Sequence, residues 1–99
     1  MREKLGRSQA ILAAVLTSNW ATIDRESRAL ALATRDPVWV ASLTEPEYLR
    51  QSDAFSQALQ TLIEASAQRD LQSAGNAYVQ LTASCVQCHV YASRRRIAK

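Results

Sequence analysis

The chain has 99 residues, a formal net charge of +3 at pH 7, and only two glycines and two prolines. This length supports one domain with a single core, here residues 1–99, and a composition rich in Ala, Leu, Gln, Ser and Arg points to an all-helical fold. The mild charge alternates in sign outside Arg94-Arg95-Arg96, which argues against a nucleic-acid partner; two cysteines are too few for a disulfide scaffold, and no apolar run approaches the roughly 20 residues of a membrane span.

The opening segment, MREKLGRSQAILAAVLTSNWA, has a basic start and an apolar run from Ala10 to Leu16, a superficial likeness to a secretory leader. Two features speak against that reading. Asn19 and Trp20 stand where a small-x-small cleavage site belongs. Met1, Leu5, Ser8, Leu12 and Val15 also recur in steps of four and three, the spacing of one helix face. The spacing predicts a helix over about 2–18, with Ile11 and Leu16 beside the stripe. Asn19 is placed to end it and to cap a second helix over about 20–34, whose inner face is Ile23, Leu30 and Ala33. Asp24 and Glu26 lie in its early turns, where the helix dipole favours acids. Asp36-Pro37 stops it, because the residue before proline is pushed out of the helical region.

Residues 35–51 read as the longest connection. Within them Thr44-Glu45-Pro46-Glu47 has the form of a capping box and predicts a short helical turn over about 45–50. Trp39, Leu43 and Tyr48 are expected to fold this link onto the end of the bundle. Ser52 is a good N-cap for a third helix over about 52–67 that buries Phe55, Leu59, Leu62 and Ala65. Gln68-Arg69 turns the chain, and Asp70 caps a fourth helix over about 70–95. That helix carries Leu71, Ala74, Tyr78, Leu81, Cys85, Cys88 and Ala92 in steps of three and four. Short turns after the first and third helices, with one longer link between the second and third, predict an up-down-up-down four-helix bundle.

Both cysteines and the single histidine fall inside five residues, Cys85-Val86-Gln87-Cys88-His89. C-x-x-C-H is the attachment signature of c-type haem. Two thiols three residues apart on a helix project from neighbouring positions, as do the two vinyl groups on one edge of haem. The next residue, His89, falls where an imidazole can reach the iron, and it shares a helix face with Cys85 four residues back. A thioredoxin-like dithiol needs its C-x-x-C at a helix N-terminus after a strand, whereas this one lies deep in a helix with no strand nearby. A structural zinc site needs four ligands, and no further cysteine or histidine exists. A chance cluster of buried cysteines with a nearby histidine is the remaining bland reading. Haem attachment is the expectation.

A four-helix chain with C-x-x-C-H late in its last helix resembles the cytochrome c-prime family and its low-spin four-helix relatives. The likeness in architecture spans the chain, and the specific residues are confined to AYVQLTASCVQCHVYASR, Ala77 to Arg94, and more weakly to MREKL. The resemblance implies one covalent haem c between the helices, thioethers at Cys85 and Cys88, and proximal axial ligation by His89. It also implies a distal residue from the first helix and a possible homodimer through the first two helices. In an antiparallel bundle the point of the first helix opposite His89 lies around Met1 to Leu5. Met1, the only thioether in the chain, is therefore the expected distal ligand, which would raise the potential and suit electron transfer. Leu5 in that place would leave a five-coordinate iron open to nitric oxide or carbon monoxide. Lys4, Arg7 and arginines of the second helix are candidates to pair with propionates, with solvated charge the simpler reading. Trp20, Trp39, Tyr48, Phe55 and Tyr78 read as core or loop anchors, and Tyr91 as a residue of the haem edge or the surface. Arg94 to Arg96 suit the end of a helix electrostatically.

No nucleophile–base pair argues for an enzyme. The expected protein is a periplasmic or otherwise exported monohaem cytochrome that exchanges electrons with partner proteins. A five-coordinate gas-binding module and a domain of a larger multihaem or sensor protein are the alternatives.

Overall fold

Each helix of the chain starts or stops at a residue whose side chain or backbone accounts for the boundary. The computed structural model describes the backbone of residues 2–42 and 45–98, and the side chains of these apart from 2, 3, 38, 42, 92 and 94–98. The elements in order are α1 (Arg2–Leu16), α2 (Trp20–Ala33), α3 (Pro37–Ser42), α4 (Pro46–Gln68) and α5 (Leu71–Ala98). Between α1 and α2, Ser18 takes a left-handed φ of 55°, and the Asn19 side chain accepts the amide of Thr22 at 3.2 Å. That bond satisfies one of the amides a helix start leaves without an internal partner. Between α4 and α5, Arg69 is left-handed (φ 56°) and its amide returns to the last turn of α4. Asp70 then caps α5, accepting the Ser73 amide at 3.1 Å and its hydroxyl at 2.7 Å. Both caps are those expected from sequence.

The middle of the chain differs from expectation. Asp36-Pro37 ends α2, but Pro37 also opens α3, because its fixed φ and missing N–H suit the first helical position. Pro46 does the same for α4, with Glu47 in the first turn. The short turn expected over 45–50 is thus the first part of one helix that continues to Gln68. Ser52 is not a cap. It lies inside α4 and accepts the Trp39 indole N–H at 3.0 Å, which ties α3 down onto α4. Glu45 occupies the N-cap position without a side-chain cap bond. Leu43 and Thr44 lie outside the described residues.

The long helices close on one another: α1 packs on α2, α2 on α4, α4 on α5, and α5 more lightly back on α1. The core consists of Ile11, Ala14 and Val15 from α1, Ile23 and Leu30 from α2, Phe55, Ala58, Leu59, Leu62 and Ala65 from α4, and Ala74, Ala77 and Leu81 from α5. The expected α4 stripe is buried throughout. The α1 stripe is only partly the expected one: Val15 is buried as expected, and Ile11, expected beside the stripe, joins it with Ala14, whereas Leu5, Leu12 and Leu16 are 57%, 41% and 76% exposed. Continued toward its start, that inner face carries Arg7 and Lys4. Their aliphatic stems cross apolar surface while their charged ends reach a cavity, so a purely apolar pattern misses them. Leu71, expected inside α5, is also exposed. Ala92 lies outside the residues whose side chains are described. Among the described residues no helix is long and apolar enough to cross a membrane.

Candidate cofactor-binding site

The helices are tightly packed only over part of their length. Beyond Leu30, Phe55 and Leu81 they leave a cavity of 940 Å³, at the upper end of the roughly 300–1,000 Å³ typical of ligand pockets. It draws on the start of α1 (Lys4, Arg7), the end of α2 with the residues after it (between Ala29 and Asp36), Trp39 of α3, the start of α4 (Tyr48, Ser52, Phe55) and the middle of α5. Most of this lining is apolar.

From α5 the wall is formed by Ser84, Cys85 and Cys88. The local reason is helical geometry. At about 100° per residue, positions 85 and 88 are about 60° apart, so both thiols face the same space. Both cysteines are free and half-buried. Ser84 is buried and its hydroxyl donates back to the Leu81 carbonyl at 2.8 Å, which leaves the two sulfurs as the reactive atoms of this wall. His89 follows about 100° beyond Cys88 and about 40° beyond Cys85. It is exposed and does not line the cavity, so it stands at the rim beside Cys85. The structure therefore brings Cys85 and Cys88 together on one wall and places His89 next to that wall. Met1 lies outside the described residues. Leu5, its expected companion on the distal side, is turned to solvent and does not line the cavity.

The α1 residue that does face the thiols is Lys4. Its Nζ lies 4.0 Å from the centroid of the Trp39 ring and 5.1 Å from that of Phe55, a cation–π arrangement. Burial pushes the Lys4 ammonium below the ordinary lysine pKa, partly offset by the charges that Cys85 and Cys88 would carry as thiolates. Burial in turn pushes the Cys85 thiol up, against the opposing pull of Lys4 and of a hydrogen bond with Ser84. Both effects have one cause: ionisable groups have been moved out of water onto the wall of an apolar cavity.

Around this space the structure is braced. Arg7 forms an ion pair with Glu26 of α2 at 2.8 Å, and the carboxylate side chain is only 14% exposed. Trp39 stacks on Phe55 with ring centroids 5.2 Å apart. Tyr48 meets Tyr91 edge-on at 5.0 Å, and the Tyr91 hydroxyl donates to Glu45 at 2.7 Å. These contacts pin the α3–α4 corner against the end of α5. Tyr78 is held by Ser8, 3.3 Å between oxygens, and Trp20 packs on the core; both are structural, as expected. Arg35 also borders the cavity and is exposed.

Sequence reasoning overlooked Trp39, Phe55 and Arg35 as cavity residues and gave Lys4 only a possible propionate role. A signal was available for Lys4. Positions 4, 7, 11, 14 and 15 form a helical stripe as regular as the one chosen, and choosing it requires only that the stems of Lys4 and Arg7 count as apolar.

Among the described residues, no three His, Cys, Asp or Glu side chains come together in a metal-binding group. Searches for a matching family profile, a curated relative and a similar solved structure found no match.

Proposed function

We propose that this chain is a monohaem c-type cytochrome of up-down-up-down helical-bundle form, working in electron transfer. The observation that carries the reading is the coincidence of the C-x-x-C-H sequence with a large apolar cavity whose wall presents both of its thiols. The residues fit the group in three respects. The volume suits a macrocycle, Cys85 and Cys88 face it side by side, and Arg35 stands on its border as a partner for a carboxylate, which arginine binds well.

Haem, when attached, supplies a one-electron iron couple. The chain supplies the rest. Cys85 and Cys88 would hold the haem through thioether bonds, and the His89 imidazole, from the turn carrying both sulfurs, would hold its iron. A further donor to the iron would come from the start of α1, for which Met1 is the sequence-based candidate. Trp39, Phe55, Leu30 and Ala33 exclude water, which strengthens electrostatic interactions at the site and limits reorganisation. Attachment of haem c places the protein in an exported, periplasm-like compartment, with redox proteins as partners.

The test is an optical spectrum of protein produced with a haem-attachment system, oxidised and reduced, with and without carbon monoxide. A low-spin spectrum unaffected by carbon monoxide is expected. A high-spin spectrum with ready carbon monoxide binding would replace electron transfer by gas binding. A protein that carries no haem would overturn both readings.

A further inference from the structure

Lys4 is a half-buried cation in an apolar cavity, and no carboxylate among the described residues lies within ion-pair distance of it. Its Nζ is held by the faces of Trp39 and Phe55 alone, on the α1 side of the space whose α5 wall is Cys85 and Cys88. A lysine so placed is costly to the empty protein, and the two aromatic rings offset that cost only in part.

Resting on the haem reading above, we propose that Lys4 is the distal iron ligand: its amine nitrogen, not the thioether of Met1, occupies the sixth position. Three observations favour this over a salt bridge with a propionate. First, the cavity border already carries the exposed guanidinium of Arg35, a better bidentate partner for a carboxylate than an ammonium, while Arg7 is held by Glu26. Second, Lys4 is the α1 side chain in the electrostatic neighbourhood of both cysteines, the residues that would hold the haem. Leu5, the other candidate cover, faces solvent. Third, burial already disfavours the ammonium, and the Cys85 and Cys88 charges work against that. Of the other charged or titratable groups bordering the cavity, Arg7, Arg35, Asp36 and Tyr48, the two arginines also disfavour the ammonium, whereas the Asp36 carboxylate favours it. In the binding step Nζ–H⁺ gives its proton to solvent and the freed lone pair bonds to iron. No oxidation or reduction is involved.

The experiment uses the haem-loaded protein and two lysine variants. In the reduced, diamagnetic state, proton NMR of the unmutated protein should show lysine side-chain methylenes shifted far upfield by the haem ring current, with no similarly shifted methionine methyl. Lys4→Ala should lose those resonances and become high-spin or thioether-ligated. Lys4→Arg keeps the charge and cannot supply the ligand, so it should behave as Lys4→Ala does. An upfield methionine methyl in the unmutated protein overturns the proposal in favour of Met1 without any variant having to fold. A normal spectrum in Lys4→Arg overturns it in favour of a charge role. Protein with no covalent haem at all overturns the cytochrome reading and this one with it, whereas haem present with unaltered ligation in Lys4→Ala overturns only this one.

Discussion

The two ends of the bundle are built from the same four long helices and differ in almost every other respect. At the end bearing the tight turns Ser18-Asn19 and Arg69-Asp70, Ile11, Ile23, Leu59, Leu62, Ala74 and Ala77 fill the interior. At the opposite end the same helices stand around 940 Å³ of space faced by Lys4, Arg7, Trp39, Cys85 and Cys88. Small residues serve opposite purposes in the two places. Ala74 and Ala77 let α5 approach its neighbours closely, whereas Ala29 and Ala33 of α2 line the cavity and leave it wide. One end thus closes on a packed core, and the other stays open around the cavity. A well-packed half tolerates the cost of a lysine and two thiols on an unfilled apolar wall, which a chain of 99 residues with one small core could not carry at both ends.

This contrast sets the largest expected effect. Leu62→Ala removes a fully buried side chain at the closed end and should cost about 2–5 kcal/mol in denaturant unfolding, holo or apo. Lys4→Met, in the cavity, should instead stabilise the haem-free chain, because it replaces a desolvated ammonium by a flexible apolar side chain of similar length. The comparison collapses if the two substitutions destabilise the haem-free protein alike.

The pH dependence of the haem-free chain sharpens the same point. Lys4 has a lowered pKa when folded, so the unfolded chain binds its proton more strongly. Stability from this group therefore rises with pH between the lowered value and the ordinary one near 10.5. Cys85 has a raised pKa, so its contribution falls with pH from the ordinary thiol value, 9.0, upward through the raised one. Removing either group should expose the opposite slope of the other: Lys4→Met loses stability through this alkaline range, and Cys85→Ala gains it. Denaturant midpoints measured from about pH 8 to about pH 11 check the signs.

Smaller effects belong to single positions. Asn19→Ala removes the side-chain cap of α2 and should cost about 1 kcal/mol. Ser27→Ala should be neutral or stabilising by up to about 1 kcal/mol, because the Ser27 hydroxyl is fully buried and has no hydrogen-bond partner among the described residues. A clear loss of stability in Ser27→Ala would show that the hydroxyl has a partner after all.

The closed end was largely legible in the sequence and the open end only partly so. Asn19 and Asp70 announce their helices because short polar side chains before an apolar stripe have one useful place to bond. Phe55, Leu59, Leu62 and Ala65 announce a buried face because nothing else competes for it. At the open end the apolar criterion fails. Leu5 and Leu12 satisfy a helical period and still face solvent, while Lys4 and Arg7 face inward because the space there accepts charged ends on apolar stems. Pro37 and Pro46 were read as a stop and as part of a short turn. Each instead begins a helix, and the distinction depends on the Trp39–Ser52 bond and the Trp39–Phe55 stack that fasten α3 to α4. The cysteine pair was legible as a pair. That both thiols share a wall with a half-buried lysine opposite them depends on tertiary packing and has no local sequence mark.

The central claim is that the open end is completed by covalently attached haem, and intact mass tests it most directly. Chain produced together with a haem-attachment system, then denatured and extracted with acidified organic solvent, should retain a mass increment of one haem. The double substitution Cys85→Ala, Cys88→Ala should abolish it. A mass equal to the bare chain, or haem that passes into the organic phase, would contradict the account.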